Sequence, residues 1–306
     1  MGRDWDAIFA SWGAPPSATE TQKCERAELA VRKAIEASAK LRAKQIEVFT
    51  QGSYQNGTNV RQDSDVDVCV LYTGAYFPDY MATGLTREAL GHTAATYSYA
   101  EFKNDVGEAV LDYFDRQGVT PGNKAFDIHA NTYRIDADVV PCFEHRRYSG
   151  NVLRNSYVSG TQLMPKDGSK IVNWPKQNYA NGVAKNSRTG GNFKTVVRAF
   201  KKLRYDMIDS GYKVAEKIPS YLIECLIWNV PDATLQTGTY LTQYNTLKEI
   251  IRNSIIFLWN ATKDDAACSE WGEVNELKYL FRVGQPWARA DVHTFLHSAW
   301  NHIGFE

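Results

Sequence analysis

Gln51-Gly-Ser-Tyr-Gln-Asn-Gly-Thr-Asn-Val-Arg-Gln-Asp-Ser-Asp-Val-Asp-Val-Cys-Val70 is the stretch that decides how the rest of this chain is read. From Asp65 onward acids alternate with valines, the period of a β-strand whose successive side chains point to opposite faces. Val66, Val68 and Val70 therefore face a core, while Asp65 and Asp67 share the other face with Cα atoms about 7 Å apart. Two carboxylates at that spacing are both comfortably ionised near neutrality only if positive charge lies between them. A hard divalent cation meets that need, and Mg²⁺ favours carboxylate oxygens together with phosphate oxygens. Asp63 has the same parity but precedes the apolar run and is read as the edge of the loop.

The loop before the strand supplies a second element. Gly52 lets the backbone approach a ligand closely, and Ser53 adds a hydroxyl, so the pair offers N–H groups and a donor to a phosphate chain. Gly57-Thr58 shapes the same loop. A third acid is expected from Ile135-Asp-Ala-Asp-Val-Val-Pro141. Asp136 and Asp138 share one parity, and Asp138 is preferred because Val139-Val140 directly after it anchor its position.

Around this centre three zones follow. Thr19 to Lys44 is rich in Ala, Glu, Lys and Arg without Gly or Pro and predicts one long helix. Ile46 to about His145 holds short β-rich runs, interrupted by a helical pattern from Tyr99 to Arg116 with Phe102, Val106, Val110 and Phe114 four apart. After Arg198 the chain reads as mostly helical, ending in a stripe of Val292, Phe295, Leu296, Ala299 and Trp300. A sheet with inserted helices followed by a helical lobe predicts an α/β (α+β) fold with a cleft between two lobes.

Composition narrows the function classes. The 306 residues carry 35 Lys and Arg against 35 Asp and Glu, which excludes coating of long nucleic acid by overall basicity. No apolar run approaches the roughly 18 residues that cross a bilayer, and Met1 is followed by Gly-Arg-Asp-Trp-Asp rather than a leader pattern. A cytoplasmic protein without membrane contact is expected. Five scattered cysteines with no C-x-x-C argue against a disulfide framework or a zinc knuckle.

Charge is uneven along the chain. Between Gly168 and Tyr205 there are nine Lys and Arg and no acid, a counterweight suited to a polyanion approaching carboxylates. Within it, Lys201 can meet phosphates as a point charge. Farther on, Ser220 opens an apolar helix, where free N–H groups favour an anion, and Tyr221 can stack a base.

The succession G-S, spacer, D-x-D and a later Asp resembles the polymerase β-like nucleotidyltransferases. The longer match, with D-S-D-V-D-V and A-D-V-V, is similar to the cGAS/DncV-like nucleotidyltransferases of bacterial antiphage systems. Where that superfamily usually has an apolar residue before G-S, this chain has Gln51. The resemblance implies a nucleotidyltransferase core with a mixed sheet and an N-terminal spine helix over residues 1–165, and a helical lobe closing the nucleotide cleft over residues 166–306. It implies two Mg²⁺ ions, with Mn²⁺ as a substitute, held by Asp65, Asp67 and Asp138, and Gln51, Gly52, Ser53, Lys201, Ser220 and Tyr221 at the nucleotide. Ile171-Val-Asn-Trp-Pro resembles clade E of the family, in which an Asn at the position of Asn173 goes with uracil; a carboxamide complements the O4 and N3–H edge of that base. UTP is then the favoured substrate, cyclic UMP–UMP or a related cyclic dinucleotide the product, a separate effector protein its reader, and a monomer the working state. Linear oligonucleotide synthesis and transfer of AMP to a protein are the alternatives.

Overall fold

The computed structural model describes residues 3–60, 65–81, 85–131, 136–149, 156–236 and 246–306. Asp63, read above as the loop edge, lies outside them. The chain divides into two compact units, residues 17–55 with 61–176 and residues 1–16 with 56–60 and 177–306.

The first unit is built on a mixed sheet. Strands β1 (Ile46–Gln51), β2 (Val66–Tyr80), β3 (Val119–Pro121), β4 (Phe126–Ile128) and β5 (Ala137–Tyr148) run in the order β1-β2-β5-β4-β3, and β6 (Tyr157–Leu163) and β7 (Ile171–Asn173) extend it from β5. β2 and β5 are parallel, and the other pairings are antiparallel. Val66, Val68, Val70 and Val139 are fully buried. Their core also contains Ala27, Val31 and Ile35 of helix α2 (Ala18–Ala37) and Phe102, Val106 and Val110 of α4 (Tyr99–Phe114). Both helices start at a Ser-x-x-Glu capping box, Ser17 with Glu20 and Ser98 with Glu101, which satisfies two of the N–H groups that a helix start leaves open. The helix predicted to reach Lys44 ends at Ala37, and Leu41 turns inward among the apolar residues of the sheet.

The second unit is helical. α5 (Pro175–Arg188), α6 (Asn192–Asp209), the short α7 (Lys213–Glu216), α8 (Ser220–Asn229), the short α9 (Asp232–Leu235), α10 (Leu247–Ala261) and α11 (Arg289–Ile303) make it up, with α5 beginning two residues ahead of its boundary. Helix α1 (Trp5–Trp12) belongs here too, a departure from the expected division that placed residues 1–165 together. The reason is apolar: Trp5 and Phe9 are buried in one cluster with Phe193, Phe200, Ile250 and Phe295. Each such side chain contributes on the order of 2 kcal/mol when removed from water. Among the described residues no helix is long and apolar enough to cross a membrane.

Candidate active site

Register assembles the site from residues far apart in sequence. Asp67 on β2 pairs with Gln51 at the end of β1 and with Asp138 on β5. Asp138 pairs with Asp127 on β4, and Asp127 with Thr120 on β3. Gln51, Asp67, Asp138, Asp127 and Thr120 thus form one row across five strands, on one face and about 4.8 Å apart strand to strand. Asp65 precedes β2 by one residue and shares the parity of Asp67. The backbone N–H of Val66 donates to the carbonyl of Asp136 at 2.9 Å, so the two acidic strand starts are zipped together. Asp136 itself accepts from the N–H of Ala130 at 2.6 Å and serves the local turn, whereas Asp138 stands in the row.

These acids raise one another's proton affinity. Burial pushes Asp67 up to about 6, helped by the charge of Asp65. Asp138 is pushed up to about 7 by burial, by a hydrogen bond with Asp127, and then by the charges of Asp127, Asp67 and Asp65. Asp65 is raised by burial and by Asp136 and Asp127. The chemistry of this donor set, carboxylates aligned on one face without a basic partner in the row, fits a hard divalent cation. Among the described residues no three acidic, His or Cys side chains close into a cage around an ion. An open row suits a cation such as Mg²⁺ that keeps waters and substrate oxygens in its shell.

The loop residues lie where β1 ends. Gly52 opens a single helical turn, α3 (Gly52–Asn56), at φ +71°, and a Cβ built on it would stand 2.5 Å from Asp67 Oδ2. Only glycine accepts both that backbone region and that contact. Ser53 follows in the same turn, partly exposed. Asn173 ends β7 with its side chain exposed, its carbonyl accepting from Thr161 Oγ1 at 3.4 Å.

In the helical unit the outcome is mixed. Ser220 is the first residue of α8, and Pro219 caps the helix in its place. The ring of Tyr221 packs on the apolar core while its hydroxyl donates to Glu273 at 3.0 Å and Asn178 at 3.2 Å. Lys201 departs from the role expected of it. It is 2% exposed, and its ammonium donates to the carbonyl and hydroxyl of Thr58, both at 3.1 Å, beside Glu224 at 3.4 Å. A buried, fully engaged ammonium is not available to a phosphate. Five other cations of the basic stretch are likewise used internally. Lys176 pairs with Glu47, Lys185 and Arg188 with Asp232, and Arg198 and Arg204 donate to backbone carbonyls.

Three residues escaped the reading from sequence. Phe126-Asp127-Ile128 repeats the apolar–Asp–apolar pattern of β2, a signal strong enough to find Asp127 but too short to name a strand with assurance; Thr120 carried no such pattern. Lys194 is the third. It is half-buried near the Gly57 turn, where a Cβ on that glycine would lie 3.7 Å from its ammonium, and burial lowers its pKa.

Comparison with known proteins accords with this geometry. Residues 180–304 match the cGAS/DncV-like nucleotidyltransferase C-terminal helical domain, and residues 31–106 match a nucleotidyltransferase domain. The chain is 43% identical to a cyclic dipyrimidine nucleotide synthase CdnE of Legionella pneumophila over 99% of each protein. It is also 43% identical, over 100% of each, to a protein of the same description from Cecembia lonarensis. Its fold superposes on the c-UMP-AMP synthase CdnE of Rhodothermus marinus, solved with Apcpp and Upnpp, with a TM-score of 0.84 and 29% identity over 98% of each chain. Sequence, sheet register and relatives agree, and the chain belongs to the CdnE group of the cGAS/DncV-like nucleotidyltransferases, enzymes of nucleotidyl transfer.

Proposed function

We propose that this enzyme joins two nucleoside triphosphates into a cyclic dinucleotide, with UTP the favoured substrate and cyclic UMP–UMP or another cyclic dipyrimidine the product. The observation that carries the transfer chemistry is the in-register row of Asp67, Asp138 and Asp127 beside Gly52. Asp65 and Asp67 would hold the metal ions, and Asp138 would complete the site on the side of the attacking hydroxyl. When bound, two Mg²⁺ or Mn²⁺ ions lower the pKa of an acceptor ribose hydroxyl and neutralise charge as pyrophosphate leaves. Gly52 gives the backbone its approach to the phosphates, Ser53 contributes a hydroxyl, and Gln51 steadies the end of β1 opposite Asp67. Ser220 is the proposed donor to the triphosphate in the helical unit, and Lys194 the proposed ammonium. Tyr221 presents a base-stacking ring whose tilt is fixed by Glu273 and Asn178.

Uracil preference rests on Asn173, exposed at the end of β7, and on the two relatives described as dipyrimidine synthases. A mixed cyclic UMP–AMP product is the second reading, favoured by the Rhodothermus marinus relative. A role in antiphage signalling, with the product read by a separate effector in the cytoplasm, follows from the family alone. The test is incubation of purified protein with each labelled triphosphate and Mg²⁺, followed by mass spectrometry of the nuclease-resistant product. Incorporation of label from UTP into a phosphatase-resistant ring is expected. Labelling only from ATP and GTP removes the pyrimidine reading; a phosphatase-sensitive product, or label on protein, removes the cyclic one.

A further inference from the structure

Two cations of α6 are buried against the short segment that follows the Gly52–Ser53 turn. Arg198, 6% exposed, donates from Nη1 to the carbonyl of Gly57 at 2.7 Å and from Nε and Nη2 to that of Gly13. Lys201 holds both the carbonyl and the hydroxyl of Thr58. Opposite them, Glu224 of α8 is 2% exposed and accepts from Asn56 Nδ2 at 2.9 Å and from Thr58 Oγ1 at 2.8 Å. The Thr58 hydroxyl is therefore fully used, accepting from Lys201 and donating to Glu224. Asn56 is the last residue of α3, the turn that Gly52 and Ser53 begin.

Burying two opposite charges costs desolvation that apolar side chains of similar volume would avoid. Here Arg198, Lys201 and Glu224 each bond to residues 56–58, the end of the nucleotide turn and the stretch just after it. Glu224 also lies three and four residues beyond Tyr221 and Ser220, one turn along the same helix and on the same side of it. We propose that Glu224 is a positioning residue for nucleotidyl transfer: through Asn56 and Thr58 it holds the end of α3, the turn that Gly52 and Ser53 begin. This rests on the function proposed above and adds to it a residue that touches no substrate. A fault in such a residue misplaces the reacting groups while leaving most ground-state contacts in place, so it falls on kcat more than on KM.

The experiment compares Thr58→Val, which removes the shared hydroxyl at nearly constant volume, with Thr58→Ser, which restores it, and adds Glu224→Gln. Each protein is assayed for kcat and KM with UTP and Mg²⁺, and for amide hydrogen exchange by mass spectrometry without nucleotide. Thr58→Val is expected to lose about 10-fold or more in kcat with KM changed less than about threefold, and Thr58→Ser to stay within about twofold of the parent. Exchange of residues 52–60 should quicken about tenfold in Thr58→Val and Glu224→Gln while α6 and α8 stay protected. Equal behaviour of the two Thr58 variants overturns the proposal, as does a loss confined to KM, or exchange that quickens across α6 and α8 together with the turn. If the parent protein makes no cyclic product, the proposed function fails, yet the exchange comparison still decides whether Glu224 and Thr58 hold the turn.

Discussion

The carboxylate row of the sheet and the cation pair of α6 treat charge in opposite ways. Arg198 and Lys201 are buried, but each guanidinium or ammonium is met by carbonyls, a hydroxyl or Glu224. Asp65, Asp67 and Asp138 are instead surrounded by other acids, and their proton affinities rise as a result of burial and mutual repulsion. The first arrangement is complete in itself and needs no further cation or anion. The second is incomplete and makes chemical sense only when a cation is supplied from outside. Uncompensated charge, more than charge as such, is what separates a working site from a structural one.

The strongest way to test that contrast is Asp67→Asn. Turnover should fall by about 10⁴-fold, roughly 5 kcal/mol of transition-state stabilisation, while the melting temperature in chelator stays equal to or above that of the parent because one repulsion is gone. A melting temperature well below the parent would mean that Asp67 is a structural group. Lys201→Met should do the reverse, costing about 3–5 kcal/mol in urea unfolding because Glu224 keeps its charge and loses its counter-ion. The double change with Glu224→Leu should recover most of that loss; a single variant as stable as the parent breaks the comparison from the cationic side. Gly52→Ala comes next. A Cβ 2.5 Å from Asp67 Oδ2 at φ +71° forces the turn away from the row, and kcat/KM should drop about 100-fold while unfolding free energy falls by only about 1 kcal/mol. Activity within threefold of the parent would show that the turn has room to spare.

The smallest effect sharpens the comparison with an acid of the opposite kind. Asp206 accepts from Arg3 at 2.7 and 2.9 Å and lies 2.6 Å from His302. Burial pulls its pKa upward, but the hydrogen bonds from Arg3 and His302 outweigh that and hold it below the ordinary 3.8. A lowered carboxylate contributes stability above its unfolded value and loses it as the pH falls through the folded one. Asp206→Asn should therefore cost about 1 kcal/mol at pH 7, discounted for the exposed Arg3, and progressively less as the pH falls below 3.8 and through the folded pKa. A penalty independent of pH would show that packing, not charge, is what the carboxylate provides.

Much of this was legible in order along the chain. Val66, Val68 and Val70 announced β2 by period alone, Asp65 and Asp67 fell on its free face, and α11 showed its stripe from Val292 to Trp300. What local charge alone could not tell was whether Lys201 is free. Lys201 and the basic stretch around it read as a surface for an anion because sequence gives the sign of a side chain but not its partners. Glu224, twenty-three residues away, and Thr58, one hundred and forty-three away, are the atoms that decide whether that ammonium is free. Asp127 was missed for a related reason: three residues of strand carry too little periodicity to be recognised until β5 lies beside them.

The sequence by itself determined the alternating strand, its two acids, the glycine–serine bend before it and the enzyme family that those features resemble. These are properties of neighbours along the chain, and backbone geometry converts spacing into face without any help from the fold. Only the tertiary structure decided that Asp138 stands opposite Asp67, that Asp127 joins them, that helix α1 packs with the C-terminal helices, and that Lys201 is a buried strut. Those outcomes depend on strand register and on burial, which are set by contacts between residues tens to hundreds of positions apart.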